Sequence, residues 1–211
     1  MEAKGMDYLP AECRIAADPA AGNAAGILTA QLTARGFSAK VGTPAQICLR
    51  EDAALPRDGY AIEADGDCLT LKASGMRGWL YAIGMLLRRI VPCKGGARIL
   101  GDLAGVYTPY KAIRGHQLGY RPTPNTYDAW RLSDYRSYYL DLMFFGVNTI
   151  EHIPYQSGHS ERNRLMQYDE ETLLVETAKD MDALDLDLSL WIPNVTAETD
   201  AQAAADRKSV V

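Results

Sequence analysis

Long apolar runs are missing from this 211-residue chain. No stretch of about 18 apolar residues occurs, which excludes a membrane-spanning helix. Residues 1–10 carry no apolar core of the kind an export signal needs, so a cytoplasmic location is the expectation. Basic residues are scattered, and 22 Lys and Arg stand against 27 Asp and Glu. The net charge of −5 offers no field for a polyanion, and neither nucleic acid nor membrane is expected as a partner. Cysteine is scarce too. Cys13, Cys48, Cys68 and Cys93 form no C-x-x-C pair, which leaves zinc and thioredoxin-like readings without support. Cys48 and Cys68 fall within apolar alternation, where cysteine acts as a small buried hydrophobe, and reduced structural thiols are expected. Glu151, His152 and His159 match no ligand spacing, so no metal and no cofactor are expected.

What is present is the composition of an ordinary globular chain: 47% hydrophobic and 23% charged residues. The length suits one large or two small domains. Residues 13–17 read as a strand. Asp18-Pro19 then supplies an N-cap and a proline at the first helical position. Ala20, Ala24, Ile27, Leu28 and Leu32 share one helical face, which stops at Gly36. Residues 37–41, 45–50, 59–64 and 68–73 read as strands, the last two joined by a hairpin at Asp65-Gly66-Asp67. Met76, Trp79, Leu80, Ile83, Leu86, Leu87 and Ile90 then mark a long helix, ended by Pro92 and Gly95-Gly96. This pattern predicts an α+β domain over 8–103, with both helices on one mostly antiparallel sheet. Residues 97–111 read as a connector.

Beyond Lys111 the rhythm changes. Strands are expected over 113–120, 147–153 and 186–192. Between them lie a helix from Ser133 as N-cap to Phe145, and a second helix carrying Leu173, Leu174, Thr177, Met181 and Leu184. Strand, helix, strand, helix, strand is the alternation of a parallel α/β sheet.

Polar and aromatic residues gather near the strand ends. Arg114, His116, Tyr120 and Arg121 belong to the first strand and its loop, which also holds Asp128; Arg114 equally suits a structural ion pair with a carboxylate, His116 a satisfied core position, and Trp191 the filling of a barrel. Glu151 lies in the second strand, and Trp191 at the end of the third. Rings mixed with hydrogen-bonding groups suit a sugar, whose faces stack and whose hydroxyls need donors and acceptors. Glu151 and His152 are adjacent and point to opposite faces of a strand, so only one can face inward. Tyr135, Tyr138 and Tyr139 sit on a helix and read as packing.

The run Ala-Ile-Arg-Gly-His-Gln-Leu-Gly-Tyr-Arg at 112–121, Tyr-Asp-Ala-Trp at 127–130 and Phe-Gly-Val-Asn-Thr-Ile-Glu at 145–151 resemble the opening of a glycoside hydrolase barrel. The similar families are the family 20 β-hexosaminidases and the family 67 α-glucuronidases, with their bacterial relatives. In those enzymes a small α+β domain precedes the barrel, and its last helix resembles residues 75–89. The resemblance implies an incomplete (β/α)₈ TIM barrel of about three βα units over 110–205. It implies a carbohydrate substrate and the hydrolysis of O-glycosidic bonds. It also makes Arg114 or Arg121 the match to the family 20 arginine that holds sugar hydroxyls. With the polar and aromatic strand ends, the expected substrate-binding set is Arg114, His116, Tyr120, Arg121, Asp128, Glu151 and Trp191.

The families' catalytic carboxylates lie on later strands, so no catalytic residue is expected within this chain. Residues 206–211 resemble a translated sequencing adapter, which makes the chain an expected fragment, inactive by itself and self-associating through open sheet edges. The competing readings are a non-catalytic carbohydrate-binding or scaffold protein of this architecture, and a sugar-acid lyase or isomerase barrel.

Overall fold

A computed structural model describes residues 6–118, 126–152 and 165–190. The first part opens with β1 (Tyr8–Pro10), β2 (Glu12–Ala17), α1 (Gly22–Ala34), β3 (Ser38–Val41) and β4 (Ile47–Glu51). It continues through β5 (Tyr60–Asp65), β6 (Cys68–Ala73), α2 (Met76–Leu87), β7 (Ile90–Cys93), β8 (Gly96–Ile99) and β9 (Gly105–Tyr107). Six of these strands form one sheet in the order β3-β2-β4-β6-β5-β9. The expectation of a mostly antiparallel sheet is corrected. β2 runs parallel to β3 and β4, and β4 runs parallel to β6. Only β5 is antiparallel to its neighbours, because the hairpin at residues 66–67 returns it against β6.

Alternation assigns the faces of this sheet. Ile47, Leu49, Leu69 and Leu71 are buried, while Cys48, Arg50, Cys68 and Thr70 between them are not. α1 lies against β2 and β3, and α2 lies against β5 and β6. Trp79 is 2% exposed and its indole N–H donates to the Arg50 carbonyl at 3.1 Å.

Two further strands stand where the sequence reads as a helix end and a connector. β7 and β8 form a hairpin that adds β1. Gly95, at φ +85°, supplies the turn conformation that other residues rarely adopt. Pro92 is tolerated because β7 is an edge strand. β9 carries the six-stranded sheet past residue 103, with Tyr60 opposite Tyr107 and their rings stacked at 4.8 Å.

The second part consists of β10 (Gly115–Gln117), α3 (Leu132–Phe144), β11 (Thr149–His152), α4 (Glu170–Ala183) and β12 (Asp187–Leu190). The strands form a parallel sheet in the order β10-β11-β12. α3 starts one residue before the expected Ser133 cap. Arg131 is the N-cap, and its backbone N–H donates to the Asp134 carboxylate at 2.9 Å. α4 is capped by Asp169, which accepts from the Thr172 backbone N–H at 2.8 Å.

α2 joins the two parts. Ten of its twelve residues are buried, which a helix lying on a single sheet does not achieve. Its second face packs on α3. At Gly84 the helices approach so closely that a β-carbon would overlap the Phe144 carbonyl.

Candidate functional site

The charged groups between the two parts gather at the N-terminal ends of the parallel strands. Asp58, in the loop before β5, accepts from Arg77 at 3.1 Å, from Arg114 at 2.7 Å and from the Asn148 amide at 3.0 Å. Arg77 is 2% exposed and also donates to the Asp185 carbonyl at 2.7 Å and to the Asp187 carboxylate at 3.0 Å. Arg57 pairs with Asp185, which sits at φ 60° just past α4. Burial alone would raise the Asp58 carboxyl. The Arg114 hydrogen bond, the Arg77 charge and the Asn148 amide together hold it below the usual carboxylate range.

Arg114 is fully engaged in this seam. Its Nε donates to the Gly146 carbonyl, one terminal nitrogen to the Lys111 and Ala112 carbonyls, and the other to Asp58 and the Tyr81 hydroxyl. An open cleft of about 420 Å³ lies beside it, lined by Tyr60, Tyr81, Arg88, Tyr107 and Phe145 among others. Seam and cleft thus lie at the N-terminal end of the parallel strands.

The other end of the same strands looks different. Gln117 lies opposite Glu151, and Glu151 opposite Ser189. His116, Ile150 and Leu188 form the neighbouring row. Two histidines identify the face against the helices. His116 Nε2 lies 2.5 Å from the Tyr138 hydroxyl, and His152 Nε2 lies 2.5 Å from the Tyr139 hydroxyl, both tyrosines on α3. Burial pushes the His152 pKa down to about 4 and drives that of Tyr139 upward, so both stay neutral near pH 7.

Because side chains alternate along a strand, Gln117, Glu151 and Ser189 point to the face away from α3. Gln117 is exposed, and Glu151 and Ser189 are half-buried. Neighbouring strands lie about 4.8 Å apart, so the row covers a width of about 10 Å, enough for one pyranose ring. An amide, a carboxylate and a hydroxyl together offer both donors and acceptors. Trp130 closes the same end of α3, with ring centroids 5.2 Å from Tyr135 and 5.1 Å from Tyr138.

The structure therefore separates the expected set. Arg114 lies at one end of β10 and Glu151 at the other end of β11. His116 faces α3, and Glu151 takes the open face that His152 does not. Tyr120, Arg121 and Trp191 lie outside the described residues. Asp128 sits in the short 3₁₀ turn Thr126–Ala129, its side chain outside the described residues. Gln117 and Ser189 join Glu151 without having been singled out in the sequence. Only the strand register reveals them, since nothing in their composition distinguishes them from surface residues.

Neither a protein-family model nor a curated protein matches the chain in sequence. Solved structures do share its fold. The chain superposes on the N-acetyl-β-hexosaminidase of Streptomyces plicatus, in complex with Thio-NAglucal, with a TM-score of 0.70 and 15% identity. The match covers 91% of this chain and 44% of that one. For the family 20 exo-β-N-acetylglucosaminidase of Vibrio harveyi, in complex with N-acetylglucosamine, the values are 0.67 and 12%, over 90% and 34%. The β-N-acetylhexosaminidase of Bacteroides fragilis gives 0.62 and 15%, over 97% and 46%. The chain thus spans between about a third and just under half of the length of these enzymes.

Proposed function

We propose that this chain supplies the accessory layer and the opening strands of a (β/α)₈ glycoside hydrolase of the β-N-acetylhexosaminidase type. The observation that carries the reading is the shared arrangement of both parts. More than nine-tenths of the chain superposes on the Streptomyces enzyme. A seam at the N-terminal ends leaves the opposite ends of the strands free for a ligand.

In this reading Gln117, Glu151 and Ser189 form part of the wall of the sugar site and bind hydroxyls. Tyr120, Arg121 and Trp191 follow the same strand ends in the chain, Asp128 lies in the loop after β10, and all four are further substrate contacts. Arg121 is the arginine left to hold hydroxyls, since Arg114 is committed to Asp58. Glycosidic cleavage needs two groups flanking the bond. Glu151 and Asp128 act in this reading as hydroxyl ligands and not as the flanking pair, so the 211-residue chain binds sugar and does not cleave it.

Titration with N-acetylglucosamine, followed by NMR, tests this. Resonances of Gln117, Glu151 and Ser189 should shift, and Glu151→Ala should weaken binding at least about tenfold, the loss of a hydrogen bond to a charged group. An aryl β-N-acetylhexosaminide should show no turnover above background. Shifts confined to the cleft at Tyr60 and Tyr107, or turnover abolished by Glu151→Ala, would each sink the proposal.

A further inference from the structure

The helix-free face of the six-stranded sheet holds two thiols. Cys48 alternates with the buried Ile47 and Leu49, and Cys68 precedes the buried Leu69. Both cysteines therefore project away from α1 and α2, and both are half-buried. Their sulfurs are 3.4 Å apart, across the parallel pair β4 and β6. This corrects the expectation of buried hydrophobes, for they lie on the outer row with Arg50, Thr70 and Lys72. The other two cysteines differ: Cys13 is in the core and Cys93 is exposed at the edge of the β7–β8 hairpin.

We propose that Cys48 and Cys68 are a redox-active dithiol that closes to a disulfide between β4 and β6 when it meets a low-molecular-weight disulfide such as oxidised glutathione. The geometry requires little movement. The sulfurs must close from 3.4 Å to about 2.05 Å. Cys68 is the first residue of β6, next to the Gly66-Asp67 turn, and its pairing with Asp65 is the last of the β5–β6 ladder, so a shift there touches only the ladder's end. No helix covers this face among the described residues, so a small oxidant can reach it.

The two thiols take different roles. The Arg50 guanidinium lies beside Cys48. Burial and the hydrogen bond to Cys48 push the Cys68 pKa up to about 11. A thiol held protonated is the poorer first nucleophile, so Cys68 attacks second and Cys48 first. Its thiolate forms a bond to one sulfur of oxidised glutathione, and the other glutathione leaves as a thiolate. Cys68 gives its proton to water or to that leaving thiolate and attacks Cys48 Sγ. The Cys48–Cys68 bond forms and the second glutathione leaves. Two protein thiols are oxidised by two electrons, and one glutathione disulfide is reduced to two thiols.

The bond closes the loop that carries Arg57 and Asp58, so it also tethers the seam residues contributed by the first part. Constraining a loop of the unfolded chain raises stability where the native geometry accepts the bond.

The test uses the whole chain with Cys93→Ser, which removes intermolecular pairing and leaves three of the four cysteines. After native treatment with oxidised glutathione, the thiol count in denaturant should fall from three to one. The protein should lose the mass of two hydrogens. Trypsin, cutting after Arg50 and Arg57, should release two peptides joined through Cys48 and Cys68. Adding Cys68→Ser should stall the reaction as a glutathione adduct on Cys48. The oxidised form should melt above the reduced form. Three free thiols after treatment, an adduct that persists with Cys68 present, a bond that includes Cys13, or a lower melting temperature on oxidation would each overturn the proposal.

Discussion

Asp58 receives more charge than any single strand position could advertise. Its partner Arg114 is 56 positions away and its partner Asn148 is 90 away. No local pattern announces such a contact, which is why the sequence leaves Arg114 between a structural ion pair and a sugar ligand. Removing one partner of a buried pair strands the other, at about 3–5 kcal/mol. Asp58→Ala should cost at the lower end of that range, because Arg77 keeps Asp187 at 3.0 Å. Urea unfolding of the variant measures it. The lowered pKa of Asp58 makes its contribution present above the ordinary carboxylate range, and lost as pH falls through the folded value. His152 acts in a separate window. Its folded pKa of about 4 lies below the unfolded value of about 6.5, so the unfolded chain takes up the proton first. Stability should be full above pH about 6.5 and decline by about 3 kcal/mol as pH falls to about 4. His152→Phe should flatten that slope, since Tyr139 keeps Thr177 as a neighbour. Unfolding free energies between pH 4 and 7 decide it, and an unchanged slope would move the effect to another group. The opposition of Glu151 and His152 was legible from strand alternation alone. Which of them faces outward needed α3, because only Tyr139 fixes the buried one.

Among the elements, α2 shows how far a periodic pattern reaches. Its apolar spacing specifies a helix, and Trp79, Leu80 and Ile83 give the face that meets the sheet. The small residues on the helix carry a second message that periodicity cannot express. Gly84 has no β-carbon because the Phe144 backbone occupies that space. A methyl group there must push α3 away, and such overpacking costs about 1–3 kcal/mol. Gly84→Ala should therefore lower the melting temperature of the whole chain even though alanine is the better helix former. The β7–β8 hairpin was hidden for the opposite reason. Pro92 and Gly95 are strong stop signals, but α2 already ends at Leu87 and Ile90 opens β7, so these residues instead suit an edge strand and its turn. β9 has three residues, too few for alternation to register. Parallel pairing within the six-stranded sheet was hidden as well, since β3, β4 and β6 are not separated by helices that would announce a crossover.

At the scale of the molecule, the two parts share α2 and the seam, and neither part is closed without the other. Separating them exposes the α3 side of α2, including Tyr81, whose hydroxyl donates to the Val147 carbonyl at 3.1 Å and accepts from Arg114. It also leaves Arg77 with Asp58 alone among its carboxylate partners, because Asp185 and Asp187 belong to the second part. Residues 8–103 by themselves, which also lack β9, should accordingly unfold at lower urea than the intact chain. Gly84 turns this into a sharper experiment. In the intact chain Gly84→Ala collides with Phe144 and destabilises. In the isolated part Phe144 is absent, the collision disappears, and only helix propensity remains, worth about 1 kcal/mol in favour of alanine. The same substitution should thus change sign between the two molecules. Urea unfolding of four proteins, each with glycine or alanine at position 84, measures both arms. Destabilisation of equal size in both would show that Gly84 is constrained from within the first part, and would remove α3 as the reason for the glycine.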